Sequence, residues 1–231
     1  MALESQLGLV SKVITSISTY HGAVKERVRS FSERKKALPE DVSNFYFVGK
    51  HAHEATLNLI LGFLEFVILH SEERVSLGTD NIDRLWHLFV SQPNFNSDQN
   101  LFLKWINLQR ESPMAAYDRR ERDSEIYLFN DVERKHFFTK ILCSPTYVDF
   151  QRISIGQVKC FHKFFKVINR QEGFIEQLGK RMLVRDHGQL VGLETLTRIA
   201  VETENERSRE ESMDLLVDLH LKFDSARVTP D

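Results

Sequence analysis

The run Val158-Lys159-Cys160-Phe161-His162-Lys163-Phe164-Phe165-Lys166-Val167-Ile168-Asn169-Arg170 decides how this chain is read. Val158, Phe161, Phe164, Phe165 and Ile168 recur at steps of three and four, the period of one face of an α-helix. Leu190-Val191-Gly192-Leu193-Glu194-Thr195-Leu196-Thr197-Arg198-Ile199-Ala200 and a run ending Leu215-Leu216-Val217-Asp218-Leu219-His220 give two more helices. Their start signals are written as well. Ser154 stands three residues before Gln157 and Thr203 three before Glu206, the spacing at which a hydroxyl caps an amide while the Gln or Glu reaches back. Phe164, Phe165, Leu193 and Leu216 are expected in the core these helices share. Nothing in the three segments resembles a catalytic turn, so helices packed on helices suggest a scaffold.

Upstream the same period recurs. Leu3, Leu7, Val10, Val13, Ile14, Ile17, Val24, Val28 and Phe31 mark a long amphipathic helix, ended by a polar loop around 37–41. Leu57, Ile60, Leu61, Leu64 and Ile68 form the next stripe, Leu85, Leu88 and Phe89 a third closed by Pro93, and Leu101, Trp105 and Leu108 a fourth. Residues 113–123, with Arg119, Arg120, Glu121 and Arg122, read as a solvated loop. Val132, Phe137, Phe138, Ile141 and Leu142 make a fifth helix. The sum is an all-α chain of about seven or eight helices without appreciable sheet. No self-similarity at a fixed period is evident, so a repeat architecture rests on helix count and on the resemblance that follows.

The order KCFHKFFKVINRQEG, a loop, LVGLETLTRIAV, a capped acidic turn and DLLVDLHLKF resembles the armadillo-like helical region of the very large ubiquitin-specific proteases of the fat-facets type. Asn100–Ile106, Phe137–Leu142 and Asp83–Leu88 are similar to that family's aromatic positions at comparable distances. The resemblance runs from about Asn44 to Phe223 and is absent before that. Thr195 and Thr197 stand where relatives carry an aromatic. What the resemblance implies is an armadillo-like α-solenoid outside the catalytic domain. Those proteases place their nucleophile in a Gly-Asn-Thr-Cys box and their histidine in a separate glycine-rich box, and neither string occurs here.

Composition sets the outer bounds. With 231 residues, 42% hydrophobic and 28% charged, the chain is long enough to bury a sizeable core. A formal charge of −2 gives no electrostatic footprint for nucleic acid or an anionic membrane. Two cysteines cannot build a disulfide framework and suit a reducing compartment. Met1-Ala2-Leu3-Glu4 is not a basic region followed by an apolar core, and Leu57–Leu69, interrupted by Glu65, is shorter than a bilayer span. A cytoplasmic location is therefore expected.

Candidate chemistry is sparse. The 17 phenylalanines are assigned to packing by their spacing rather than to binding platforms. Cys160 and His162 lie about 200° apart around a helix, as do His51 and His53, so neither pair converges on a metal or acts as nucleophile and base. Cys143 and Cys160 read as structural thiols. The cations Lys25, Arg27, Arg29, Arg34, Lys35 and Lys36 read as a solvated helix end, and Glu202, Glu204, Glu206, Glu210 and Glu211 as anions favoured at a helix start.

The expected organisation is an N-terminal amphipathic helix and loop at 1–43, an armadillo-like region at 44–223 and a tail at 224–231. The expected function is that of a non-catalytic scaffold segment of a large ubiquitin carboxyl-terminal hydrolase. A free-standing helical adaptor and an independent cysteine hydrolase are the alternatives. No residue is assigned a catalytic, cofactor-binding or metal-binding role, and no cofactor is expected. The expected partners are proteins, with ubiquitinated substrates and neighbouring domains of a longer chain as candidates, and neither nucleic acid nor membrane.

Overall fold

The computed structural model describes residues 2–33, 50–70, 75–107, 128–178 and 181–221. Each apolar stripe there becomes a helix because nothing else buries it. The elements run α1 (Ala2–Glu33), α2 (Lys50–His70), α3 (Thr79–Trp86), α4 (Asn96–Ile106), α5 (Asp131–His136), α6 (Ile155–Gln171), β1 (Ile175–Leu178), β2 (Arg181–Val184), α7 (Leu193–Glu202) and α8 (Glu206–Leu221). The all-α expectation holds. The loop expected at 37–41, the charged loop at 113–123, Leu108, the cations at 34–36 and the tail all lie outside the described residues, as do the side chains of Leu3, Leu7 and Phe31. The chain forms two compact units, Met1–Glu133 and Arg134–Asp231.

In the first unit α2 packs on α1 and α4. The inner stripe of α1 (Val10, Val13, Ile14, Ile17, Val24) and that of α2 (Leu57, Leu61, Leu64, Ile68) are buried, together with Leu85, Trp86, Phe89 and Phe102. Phe102 stacks on Phe89 at 5.1 Å and on Trp105 at 5.9 Å between ring centroids. Leu88, expected on the stripe of α3, is half-buried, while Phe89 carries that contact. Beyond Trp86 the coil widens into a π-turn, His87–Ser91, ending where the Gln92 amide donates back five residues to the His87 carbonyl just before Pro93. The residue before a proline is disfavoured in the α region, so the helix leaves its regular path there.

Within Arg134–Asp231, α5 runs on into a second π-turn, Phe137–Leu142, again just upstream of an Xaa-Pro step, Ser144-Pro145. Phe137, Phe138, Ile141 and Leu142 are all buried, as expected, but Val132 is 72% exposed and is not part of that stripe. Phe137 meets Phe164 at 4.8 Å, and Phe138 meets Phe161 at 5.2 Å and Phe165 at 6.3 Å. The Ser154/Gln157 box forms as expected, the Gln157 amide donating to Ser154 Oγ at 3.3 Å and the Ser154 amide to Gln157 Oε1 at 2.9 Å. Asn130 and Glu133 form a second, tighter box at the start of α5, both bonds 2.9 Å.

Two expectations for this unit are corrected, and one small element is added. Thr203 does not cap α8; it ends α7, and Asn205 Oδ1 accepts the Ser208 amide at 3.1 Å in its place. Leu193 and Leu216 are only half-buried, because the inner faces of α7 and α8 are centred on Leu196 and Ile199 and on Leu215 and Leu219. The segment between α6 and α7 includes a short antiparallel hairpin, Ile175 opposite Val184 and Leu178 opposite Arg181, which buries Ile175 and Val184.

The turn into α7 is held closely against α6. Asn169 is wholly buried, its amide donating to the Phe165 and Val191 carbonyls at 2.9 Å while Oδ1 accepts the Val191 amide at 2.7 Å. Gly192 follows at φ +84°, where a Cβ would sit 2.5 Å from Phe138 Cζ. An L-residue there is strained by backbone and by contact alike. Gly192→Ala is expected to cost roughly 2–5 kcal/mol in urea unfolding, combining overpacking with a left-handed backbone. An unchanged midpoint would mean that the turn does not approach Phe138 as described.

Candidate interaction surface

α2 is apolar on two sides. Opposite its buried stripe it presents Ala52, Ala55, Leu59, Gly62, Phe63 and Phe66 to the outside, with Leu59 75% exposed, Phe63 48% and Phe66 58%. These positions recur at three- and four-residue steps over four turns, so they form one face. That face bears no charge. Glu65 turns inward and is buried, and Glu54 is half-buried on the flank. Large exposed side chains scattered singly need no explanation, whereas contiguous ones on a single face mark surfaces that partners cover. The expectation that spacing assigns the phenylalanines to packing therefore fails for Phe63. The readable signal was a second stripe, out of phase with Leu57, Leu61, Leu64 and Ile68, in the most apolar run of the chain.

A buried polar network of the first unit is engaged in holding it together. His53 Nε2 donates to Asp98 Oδ1 at 2.9 Å, and its Nδ1 accepts the Tyr20 hydroxyl at 3.0 Å. Asp98 Oδ2 takes the amides of Asn94 and Phe95 at 3.0 and 3.1 Å, which starts α4. A Tyr–His–Asp chain resembles a catalytic relay in outline. Here His53 is 3% and Asp98 0% exposed. Burial raises the Tyr20 pKa, so its phenol stays protonated as donor. The chain stitches α1, α2 and α4 together. His51 is exposed and points away from His53, as the two-residue spacing requires.

The thiols occupy environments unsuited to nucleophiles. Burial pushes Cys143 up to about 11 against a smaller opposing effect from a Thr195 hydrogen bond, so the neutral thiol dominates at pH 7. Cys160 is wholly buried on α6. Burial, with Lys166 adding to it, lowers His162 to about 4, too weak a base to activate a thiol. Its Nδ1 stands 3.9 Å from Glu211, beyond hydrogen-bonding distance, and its Nε2 has no hydrogen-bond partner. Among the described residues no three His, Cys, Asp or Glu side chains converge as metal ligands, and no helix is long and apolar enough to cross a membrane.

Comparison with known proteins agrees with this helical architecture. The family model of the ARM repeat of UBP24/USP9X/USP9Y matches residues 1–169. The chain belongs to this family. The match includes α1, so the kinship begins at the first helix and not at Asn44. The chain is also 24% identical over 215 residues to the probable ubiquitin carboxyl-terminal hydrolase FAF of Drosophila melanogaster, covering 93% of this chain and 7% of that protein. Ubiquitin carboxyl-terminal hydrolases 9Y and 9X of Mus musculus are 20% and 22% identical, each over 94% of this chain and 8% of their own length. The pairwise similarity thus continues past residue 169 toward α7 and α8, while spanning under a tenth of each relative.

The buried, neutral His162 makes stability depend on pH. Its folded-state pKa lies below the ordinary 6.5, so the unfolded chain takes up the proton first and stability falls as pH drops from 6.5 toward about 4. Comparing wild type with His162→Gln by urea unfolding across that window should isolate a loss of roughly 3 kcal/mol absent from the variant. Parallel pH profiles for the two proteins would show that the ring is solvated.

Proposed function

We propose that this chain is a non-catalytic, protein-binding scaffold segment of a large ubiquitin carboxyl-terminal hydrolase. The observation that carries the reading is the uncharged outer face of α2, with Leu59 and Phe63 exposed on a helix whose other side is already buried. Leaving that much apolar surface in water is unfavourable, and covering it with a partner recovers roughly 25 cal/mol per Å². The thiol environments support the non-catalytic half of the reading, since an uncharged sulfur without a competent base does not attack an isopeptide carbonyl. The relatives' names, ubiquitin carboxyl-terminal hydrolases, supply the context. Neighbouring domains of a longer chain and ubiquitinated proteins are the partners this reading favours, in the cytoplasm.

Two measurements test it. Ubiquitin bearing a fluorescent C-terminal leaving group should show no turnover by the purified chain, and Cys143→Ser and Cys160→Ser should change nothing. Turnover lost in either variant would replace the scaffold with an enzyme. A photo-crosslinking residue at position 63 should give discrete protein adducts in cells that disappear with Leu59→Asp. A crosslinker at Glu194, exposed on α7, should give none of them. Identical adducts from both positions would remove the α2 face from the account.

A further inference from the structure

α8 carries a surface of different chemistry. Ser208, Ser212, Leu215 and Leu219 face inward and are buried. On the opposite side lie two overlapping rows at four-residue steps, Glu206, Glu210 and Asp214 toward the N-terminus and Met213, Val217 and Leu221 toward the C-terminus. All six fall within about 100° of the helix circumference. Met213 is 46% exposed, Val217 51% and Leu221 76%, and the three carboxylates are exposed as well.

The helix dipole accounts for only the first of these anions. Its stabilisation of negative charge fades within the first turn, where Glu206 sits, while Glu210 and Asp214 lie one and two turns further on. Like charges at i and i+4 weaken a helix, and this row contains two such pairs. None of the three makes an ion pair with a described residue, and Arg209 donates instead to the Thr203 carbonyl. An acidic row that extends beyond the reach of the helix dipole and continues into exposed apolar side chains on the same face is complementary to a ligand that is cationic at one end and apolar at the other.

We propose that the outer face of α8 docks a cationic amphipathic helix of a partner protein, its Lys or Arg side chains on Glu206, Glu210 and Asp214 and its apolar residues on Met213, Val217 and Leu221. The proposal rests on the scaffold reading and specifies the chemistry of one partner. An uncharged apolar helix would desolvate the carboxylates without pairing them. A second copy of this chain fits no better. In an antiparallel pair the acidic half of one α8 would lie on the apolar half of the other, and in a parallel pair the acidic rows would coincide.

The test uses the 231-residue chain and a fluorescent, end-capped peptide of leucine and lysine, roughly 18 residues or five turns long, with its leucines on one stripe. Controls are the same peptide with glutamate for lysine and a scrambled version without a stripe. The leucine–lysine peptide should bind and the controls should not. Glu210→Lys combined with Asp214→Lys, or Val217→Asp alone, should weaken binding about tenfold or more while melting temperatures match wild type. Val132→Asp, at a position 72% exposed on α5, should leave binding intact.

No binding, equal binding of the glutamate or scrambled peptide, or equal affinity in the α8 variants would overturn the proposal. Self-association abolished by Val217→Asp would overturn it in favour of a second copy. If the α8 result is negative while position 63 still gives specific adducts, only this inference falls and the scaffold reading stands.

Discussion

In each unit a short helix ending in a π-turn is held against the helix that follows it by aromatic rings, and the other elements pack around that contact. Phe89 on Phe102 serves this role before α4, and Phe137 and Phe138 on Phe164 and Phe161 serve it at α6. Each aromatic pair is worth about 0.5–1.5 kcal/mol beyond the area it buries, and each ring is effectively closed to water. Helices of eight and six residues such as α3 and α5 have little stability of their own. Their rings therefore fix where they lie. The Asn169–Val191 bridge and the close approach of Gly192 then place α7 on the same aromatic surface.

Much of this was legible because burial on helices leaves a strong period. The stripe of α6 and the Ser154/Gln157 box could be read directly, each depending on residues close together in the chain. What could not be read depended on distant contacts. Thr203 has the spacing of a cap but is held by Gln151, whose carbonyl takes both the Thr203 hydroxyl and the Glu204 amide, and this leaves Asn205 to start α8. Leu193 and Leu216 carry the right residue type one position away from the inward direction. The hairpin at 175–184 is too short for a clear two-residue period.

The exposed face of α2 was illegible for a different reason. Apolar residues on both sides of a helix look the same in sequence whether two neighbours cover them or one. Leu57, Leu61 and Leu64 are covered by the helices of their own unit, and Leu59 and Phe63 are not. The function proposed for this chain is correspondingly a matter of surface. The buried polar groups, His53 with Tyr20 and Asp98, and Glu133 with Ser76 and Gly78, have their hydrogen bonds directed into the fold. Cys143 is held as a neutral thiol by its surroundings. The outward faces of α2 and α8 are where, among the described residues, exposed large apolar side chains share one helix face.

The most direct measurement is the reactivity of a single introduced thiol at position 63. Burial that raises the Cys143 pKa, and the full burial of Cys160, should make both native thiols slow toward maleimide and keep the background low. Phe63→Cys should label rapidly in the purified chain and slowly in the cells that make it, as the proposed covering of the α2 face by a partner requires. Val132→Cys, at a position 72% exposed on α5, should label rapidly in both. Equal rates at position 63 in the purified and cellular settings would contradict the claim that this face is a binding surface.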